Sequence, residues 1–269
     1  MSERPRVLAT LEGYSVEGGF DGPGLPATCF APVIALGRRS GPGAAHGLWR
    51  DYERVLDVAS TTALTGVRLT LEWARLEPCR DEFDDAALAR YRDVIGHAHE
   101  VGLTVTAVLV DAAWPSWLGQ EAWLLPWVEP VLVAHARRVV ATLGDVLDGV
   151  VAVAEPATLV DSGFLGATAP PWRRDARADA TSAHALVARA LATLSADPVV
   201  GPRLVRRVRT VALTDGPDAI NHARTLDVDE VHVRSLVGGV GPAGVTTGLL
   251  VDDGGWRVEA SRELLDALA

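Results

Sequence analysis

The segment DGVVAVAEPATL, residues 148–159, decides the fold of this chain. Its first part is a run of valine and alanine, which is typical of a buried strand in a parallel sheet. The run stops on a carboxylate, Glu155, with Pro156 directly after it. In parallel β/α barrels, catalytic side chains stand at the carboxyl ends of the strands. We therefore interpret Glu155 as a functional acid at the end of a barrel strand; the alternative is a structural ion pair with Arg68.

On both sides of this segment, strand-like runs alternate with amphipathic helical ones. The predicted strands are residues 6–15, 66–73, 103–111, 148–155, 207–214 and 229–237, and the predicted helices are residues 48–64, 84–102, 126–144, 177–196, 217–226 and 258–269. Such alternation predicts a parallel sheet covered by helices, either a closed barrel or an open doubly wound sheet. The Gly-rich turn after the first strand has no helix N-terminus behind it, which favours the barrel.

The composition is that of an ordinary globular protein, and we expect a single domain over residues 1–269. The chain is 48% hydrophobic and has a net charge of −10, which argues against nucleic-acid binding. Its two cysteines, Cys29 and Cys79, lack the spacing of a metal site. A G-x-G-x-x-G pattern begins at Gly239, but it contains Pro242 and leads into a strand-like segment. We therefore predict neither a metal nor another cofactor.

Two further features concern location and access. The N-terminal residues have no apolar stretch with a cleavage site, and no apolar run is long enough to cross a bilayer. We therefore expect a soluble, cytoplasmic protein without membrane contact. Residues 18–47 are rich in glycine and proline and predict a long loop over the barrel mouth.

Several motifs, taken in order, resemble the family 1 glycoside hydrolases, the β-glucosidase family. They are LEGYSVEGG (11–19), GVRLTLEWARLEP (66–78), YRDVIGHAHEVGLTVTAVLVDAAWPSWL (91–118), VVAVAEPATLVDSGFLGATAPP (150–171) and AGVTTGLLVDDGGWRVEASRELL (243–265). The resemblance implies a TIM-type β/α barrel, with a hairpin and a last helix at the C-terminal end. It also makes Glu155 the counterpart of the family's acid/base catalyst.

The departures from the family pattern concern the residues that hold and cleave sugars. Ser15 stands where the family has a sugar-binding Gln, Asp111 where it has a sugar-binding His, and Ala154 where it has the Asn before the catalytic Glu. The Thr-Glu-Asn-Gly motif that carries the family's nucleophile is missing. Two of the family's strands are also absent from the pattern, so we expect a shortened or incomplete barrel of about six strands.

Candidate site residues come from strand ends and from the period-two alternation of strands. Arg68, which matches an inward Arg of the family, shares one face with Glu72, so Glu72 is expected to point into the pocket. The predicted catalytic residues are Glu155, Glu72 and Asp111, and the predicted substrate-binding residues are Arg68, Tyr14, Ser15, Trp114, His232 and Arg234. Structural alternatives stay open: a surface position for Glu72, turn capping by Asp111, packing for Tyr14 and Trp114, and pairing of His232 and Arg234 with Glu12 or Glu230.

Three functions fit these observations. The first is cofactor-free acid/base chemistry by Glu155, such as cyclisation, dehydration, elimination or isomerisation, on a small, hydroxylated and fairly apolar metabolite. The second is a surviving glycosidase that uses Glu155 with Glu72 or Asp111. The third is a non-catalytic barrel that binds a ligand or a partner chain, with either the 18–47 loop or a homodimer covering a sheet edge exposed by the lost strands.

Overall fold

Among the residues that the structure describes, six strands form one parallel sheet. The computed structural model describes residues 6–61, 64–212, 222, 228–234, 239–240, 246–252 and 255–259. The strands of this sheet are β1 (Arg6–Leu11), β2 (Gly66–Thr70), β3 (Thr104–Val110), β4 (Gly149–Val153), β5 (Val208–Ala212) and β6 (Glu230–Arg234). Their order is β4-β3-β2-β1-β6-β5, and every neighbouring pair is parallel.

Helices follow the strands, as the alternation predicts. They are α1 (Gly13–Val16), α2 (Ala31–Ala35), α3 (Tyr52–Ser60), α4 (Trp73–Leu76), α5 (Asp85–Glu100), α6 (Val128–Leu143), α7 (Pro156–Phe164) and α8 (Arg177–Ala196). Asp84 caps α5 by accepting from the Ala87 N–H at 2.9 Å. The sequence did not indicate α1, α2, α4 and α7. Of these, α1, α4 and α7 begin two or three residues after β1, β2 and β4 end. No described helix is both long and apolar enough to cross a membrane.

The sheet curls into an incomplete barrel. Leu204, in the segment that leads into β5, forms a parallel bridge with Val150 of β4, and the Val205 N–H donates to the Val150 carbonyl at 2.9 Å. Across the interior, Thr106 Oγ1 of β3 lies 2.7 Å from Glu230 Oε1 of β6, although two strands separate β3 from β6 in the sheet. The curl thus brings the ends of non-adjacent strands together, as in a β/α barrel.

The two faces of the sheet differ in polarity. Alternate residues such as Val7, Ala9 and Leu11 belong to the apolar core that also contains the helices. The interior face carries polar side chains, and at its floor Glu230 is 0% exposed. Glu230 accepts from Arg6 and Thr106, and its second oxygen lies 2.7 Å from His232 Nε2. Because every acid oxygen of Glu230 meets a donor, the buried charge is compensated.

The Gly-rich segment 18–47 is anchored by one carboxylate. Asp21 accepts from the Tyr14 hydroxyl at 2.9 Å, from the Thr28 N–H at 2.6 Å and from the Thr28 hydroxyl at 2.8 Å. The segment contains α2 but is otherwise irregular, and Phe30 and Arg39 from it line the cavity described below. The long loop over the barrel mouth that the sequence analysis expects in this segment stays a prediction.

A second, antiparallel sheet lies near the C-terminal end of the chain. It contains β7 (Gly239–Val240), β8 (Thr246–Asp252) and β9 (Gly255–Glu259) in that order. The pairing of β8 with β9 is the hairpin that the family resemblance implied. The helix predicted over 217–226 lies outside the described residues except for His222, and the helix predicted over 258–269 lies outside them beyond residue 259.

Candidate active site

A cavity of about 290 Å³ lies at the carboxyl ends of β1, β3 and β4. Three carboxylates and two guanidinium groups line it together with apolar and hydroxyl side chains. The lining residues are Glu12, Phe30, Arg39, Arg68, Asp111, Ala112, Val153, Glu155, Thr158, Leu159, Ser162, Thr168 and Ala169. This is the end of a parallel barrel at which active sites are found.

Glu155 takes the place in this cavity that the sequence predicts. It comes two residues after β4 and immediately before α7, whose first residue is Pro156. Proline suits the first position of a helix because its missing N–H needs no partner there. The Glu155 side chain is half-buried and its Oε2 accepts from the Thr158 hydroxyl at 3.1 Å. The carboxylate is therefore fixed at one side of the cavity while it remains accessible to a ligand.

Asp111 and Arg68 form an ion pair in the same cavity. Arg68 Nη2 donates to Asp111 Oδ2 at 2.7 Å, and the Thr70 hydroxyl donates to the same oxygen at 3.1 Å. Arg68 is 1% exposed, whereas 16% of the Asp111 side chain is exposed. Asp111 thus bonds to side chains of β2 rather than capping its own turn. The sequence analysis had left open an ion pair between Arg68 and Glu155. In the structure the ion-pair partner of Arg68 is Asp111.

Glu72 is not among the side chains that line the cavity, contrary to the expectation from strand alternation. Because β2 ends at Thr70 and α4 begins at Trp73, the chain has left the strand at Glu72 and the period of two no longer applies. Its carboxylate lies under α1, where Oε1 accepts from the Tyr14 N–H at 2.7 Å. A Cβ at Gly13 would lie 2.4 Å from Glu72 Cγ, so this contact requires glycine.

Glu72 lies in a buried network of charged side chains. Glu17 pairs with Arg75 at 3.0 Å and accepts from the Tyr91 hydroxyl at 2.6 Å, and Tyr91 in turn accepts from the Glu72 N–H at 3.0 Å. Burial raises the pKa of Glu72 well above its usual range, and the negative charges of Glu17 and Asp111 raise it further. Glu72 Oε2 has no hydrogen-bond partner among the described residues. Burial and the neighbouring negative charges therefore favour the neutral form of the Glu72 carboxyl over the charged form.

This raised pKa predicts a pH-dependent effect of Glu72→Gln on stability. The folded state holds the Glu72 proton more tightly than the unfolded state, so the parent loses stability as pH rises from the ordinary glutamate pKa toward the raised one. Glutamine has no proton to lose. The stability of Glu72→Gln relative to the parent should rise by up to about 1.4 kcal/mol per pH unit over that range.

Urea unfolding at a series of pH values measures this difference. The exposed Glu100, at which 78% of the side chain is accessible, provides the control Glu100→Gln. If the difference in the free energy of unfolding between the parent and Glu72→Gln does not change with pH, the pKa of Glu72 is not raised in the folded protein.

Tyr14 and Trp114 pack in the core, which agrees with the structural alternative for both. The Tyr14 ring lies 5.0 Å from that of Phe30, and neither Tyr14 nor Trp114 lines the cavity. Trp114 is fully buried, and its indole N–H donates to the Gly119 carbonyl at 2.8 Å. Ser15 is exposed on α1, because β1 ends at Leu11 and not at residue 15.

Two substrate-binding residues were predicted on the strand β6. His232 does not line the cavity, and the side chain of Arg234 lies outside the described residues. His232 is buried at the barrel floor against Glu230, where burial lowers its pKa. The predicted pairing with Glu230 is present, but inside the barrel and not at the sheet surface. For Arg234 the structure gives the backbone pairing with Ala212, and its side chain lies outside the described residues.

Glu12 is a cavity residue that the sequence analysis did not select. It follows β1 directly, as Asp111 follows β3. The rule that identified Glu155, an acid at the end of an apolar strand, applies equally to the L-E-G of residues 11–13. It was missed because the predicted strand extended to residue 15.

Within the described part of the chain, no group of three or more His, Cys, Asp or Glu side chains is arranged to hold a metal ion.

The described residues form an incomplete parallel β/α barrel with carboxylates at its strand ends. Similar solved structures include the family 1 β-glucosidase of Thermotoga maritima, at 15% identity and a TM-score of 0.66 over 79% of this chain and 49% of that one. A β-glycosidase from Pyrococcus horikoshii matches at 20% identity and a TM-score of 0.61, over 77% of this chain and 47% of that one. The chain thus has the fold of the family 1 glycoside hydrolases.

A sequence relative agrees with this fold. The chain is 28% identical over 166 residues to "Beta-glucosidase-like SFR2, chloroplastic" of Oryza sativa subsp. japonica, a match that covers 58% of this chain and 25% of that protein. No family model matches the sequence. The chain spans about half the length of the similar solved structures and a quarter of this relative.

Proposed function

We propose that this protein is an enzyme that carries out cofactor-free acid/base chemistry, with Glu155 as general acid or base. One observation carries the proposal: Glu155 shares a small cavity at the strand ends with Glu12, Asp111 and Arg68. A carboxylate that is half-buried and accessible to a ligand is suited to proton transfer. The ion-paired Asp111 supplies a fixed negative charge that orients the substrate.

The cavity favours a small, hydroxylated and partly apolar substrate. Its volume of about 290 Å³ lies at the lower end of ligand pockets, which run from roughly 300 to 1,000 Å³. Carboxylate oxygens accept hydrogen bonds from substrate hydroxyls. Phe30, Val153 and Leu159 provide apolar contact on the same walls. A compound with several hydroxyls on a compact carbon skeleton meets both requirements.

The reaction class is one that exchanges protons without a redox partner. Cyclisation, dehydration, elimination and isomerisation each need a group that gives a proton and a group that takes one. Retaining glycoside hydrolysis needs instead a nucleophilic carboxylate about 5 Å from the acid. The residue at the end of β3, Asp111, is held by Arg68 and Thr70, and a carboxylate in an ion pair is a poorer nucleophile.

A panel of small polyols, hydroxy ketones and hydroxy acids, incubated in D₂O and followed by NMR and mass spectrometry, tests this proposal. We expect one class to lose water, form a ring or take up solvent deuterium, and Glu155→Gln to stop that change. Conversion at equal rates by the parent and Glu155→Gln rules out the proposed role.

A surviving glycosidase is the second candidate, and the fold likeness favours it. Of the two acids predicted as its second carboxylate, Asp111 lines the cavity and Glu72 does not. Release of 4-nitrophenol from aryl β-glycosides, abolished by both Glu155→Ala and Asp111→Ala, supports this function. The binding-only barrel, a homodimer and a cytoplasmic location stay predictions.

A further inference from the structure

The two guanidinium groups that line the cavity have different surroundings. Arg68 is buried and donates to Asp111 at 2.7 Å, so its charge is compensated within the protein. Arg39 belongs to the segment 18–47 and is exposed at the cavity wall. Among the residues that the structure describes, no acid forms an ion pair with Arg39 and no acceptor takes a hydrogen bond from its side chain. The cavity therefore has one cation that the described protein does not neutralise.

The end of α2 determines where Arg39 lies. Gly37 follows this helix with a φ of +65°, a left-handed conformation that glycine adopts without strain. Its N–H donates to the Ile34 carbonyl at 2.9 Å and thereby closes the last turn of the helix. After this turn, the central carbon of the Arg39 guanidinium lies 4.2 Å from the centre of the Phe30 ring, which precedes α2.

The Phe30 ring is a fixed support for this guanidinium. It is buried, its centre lies 5.0 Å from that of the Tyr14 ring and 6.2 Å from that of Trp172, and it lines the cavity. A guanidinium over an aromatic face is stabilised by the cation–π interaction. Its N–H groups point outward from its edge, so the contact with the ring leaves them able to donate to a ligand. Arg39 is thus oriented before any ligand binds.

A carboxylate is the ligand group that suits this guanidinium and this cavity. The planar fork of an arginine matches the two oxygens of a carboxylate or of a phosphate. The cavity of about 290 Å³ is small for a ligand pocket, which favours the smaller of the two groups. The other charged lining residues are Glu12, Asp111, Glu155 and Arg68, which is paired with Asp111. Arg39 therefore decides whether an acidic ligand is attracted or repelled.

We propose that Arg39 binds a carboxylate of the substrate, so that the substrate is a small hydroxy acid; this inference rests on the proposed function. The hydroxyls of the substrate donate to the lining carboxylates, while its own carboxylate lies against the segment 18–47. Of the compounds in the panel described above, the hydroxy acids are then the class that is converted.

Pairs of compounds that differ only at one end test this inference. They are D-glycerate with glycerol, D-erythronate with erythritol, and D-gluconate with D-glucitol, in which a carboxylate replaces a CH₂OH group. Ligand-observed NMR titrations at low ionic strength measure the dissociation constants, because salt screens exposed charges. We expect the parent to bind at least one acid about tenfold more tightly than the matching polyol, the smaller effect of a hydrogen bond to a charged group.

Variants of two neighbouring arginines locate the preference. Arg39→Gln should bind the acid no more tightly than the polyol, because Arg68 stays paired with Asp111 and the lining acids repel an anion. Arg39→Lys keeps the charge without the fork and should keep part of the preference. The matched control is Arg38→Gln, since Arg38 is also exposed but does not line the cavity, and it should bind like the parent. Thermal melts show whether each variant is folded.

Several results would overturn the role of Arg39. They are a parent that binds none of the acids more tightly than the matching polyol, a preference that persists in Arg39→Gln, and a preference that Arg38→Gln removes equally. Tighter binding of D-glucitol 6-phosphate than of D-gluconate, lost in Arg39→Gln, overturns the carboxylate in favour of a phosphate.

These titrations also separate this inference from the proposed function, because binding needs no turnover. The preference for the acid should persist in Glu155→Gln. If it depends on Arg39 while Glu155→Gln converts the panel as fast as the parent, the proposed function fails and the anion-binding role of Arg39 stands. If Glu155→Gln stops conversion but no acid is preferred, the proposed function stands and this inference fails.

Discussion

Replacing Glu155 by glutamine is expected to lower turnover by about 100- to 10,000-fold, the range that a single general acid or base contributes. Glutamine keeps the size of the side chain and can still accept from the Thr158 hydroxyl, which lies 3.1 Å from Glu155 Oε2. It cannot give or take the proton. The loss should therefore fall on kcat, while KM changes little because the cavity walls are unaltered.

Two controls separate lost chemistry from lost structure. Glu155→Asp keeps a carboxyl one methylene further from the substrate and should recover part of the rate. Thr158→Val removes only the hydroxyl that orients Glu155 and should have a smaller effect than Glu155→Gln. Steady-state kinetics on the substrate found in the panel measure the loss of turnover, and a thermal melt of each variant shows whether the protein is still folded. Equal kcat in the parent and Glu155→Gln contradicts the role of Glu155.

Replacing Arg75 by methionine is expected to have the largest effect on stability. Arg75 is 6% exposed, pairs with Glu17 at 3.0 Å and donates to the Gly18 carbonyl at 2.7 Å. Its guanidinium also lies 3.9 Å over the Trp49 ring. Removing one partner of a buried ion pair leaves the other charge uncompensated, at a cost of about 3 to 5 kcal/mol. That is a large part of the roughly 5 to 15 kcal/mol that stabilises a typical domain.

Urea unfolding of three variants tests this expectation. The double variant Glu17→Gln with Arg75→Met removes both charges and should recover much of the loss, because no buried charge is then left alone. Arg54→Ala changes an arginine with half of its side chain exposed and should leave the unfolding midpoint nearly unchanged. If Arg54→Ala and Arg75→Met destabilise the protein equally, the buried network does not have the assigned role.

Comparison of the predictions with the structure shows which kinds of inference the sequence supports. The barrel strands, the helix over 177–196 and the cap at Asp84 agree with the structure because hydrophobic periodicity and capping are local properties. Helix and strand ends were less accurate. The strand predicted over 6–15 ends at Leu11, and that difference concealed Glu12 as a strand-end acid.

The sequence by itself determined that the sheet is parallel and that an acid, Glu155, closely follows β4, because alternation of strands and helices and the residues after a strand are read along the chain. Only the tertiary structure decided which charged side chains share the cavity. Glu72 is enclosed under α1, Arg68 turns to Asp111, and Glu12 joins Glu155. These outcomes depend on the residue at which each strand ends and the next helix begins, and on how strongly the sheet is curved. Both depend on packing between segments distant in the sequence, which local patterns do not encode.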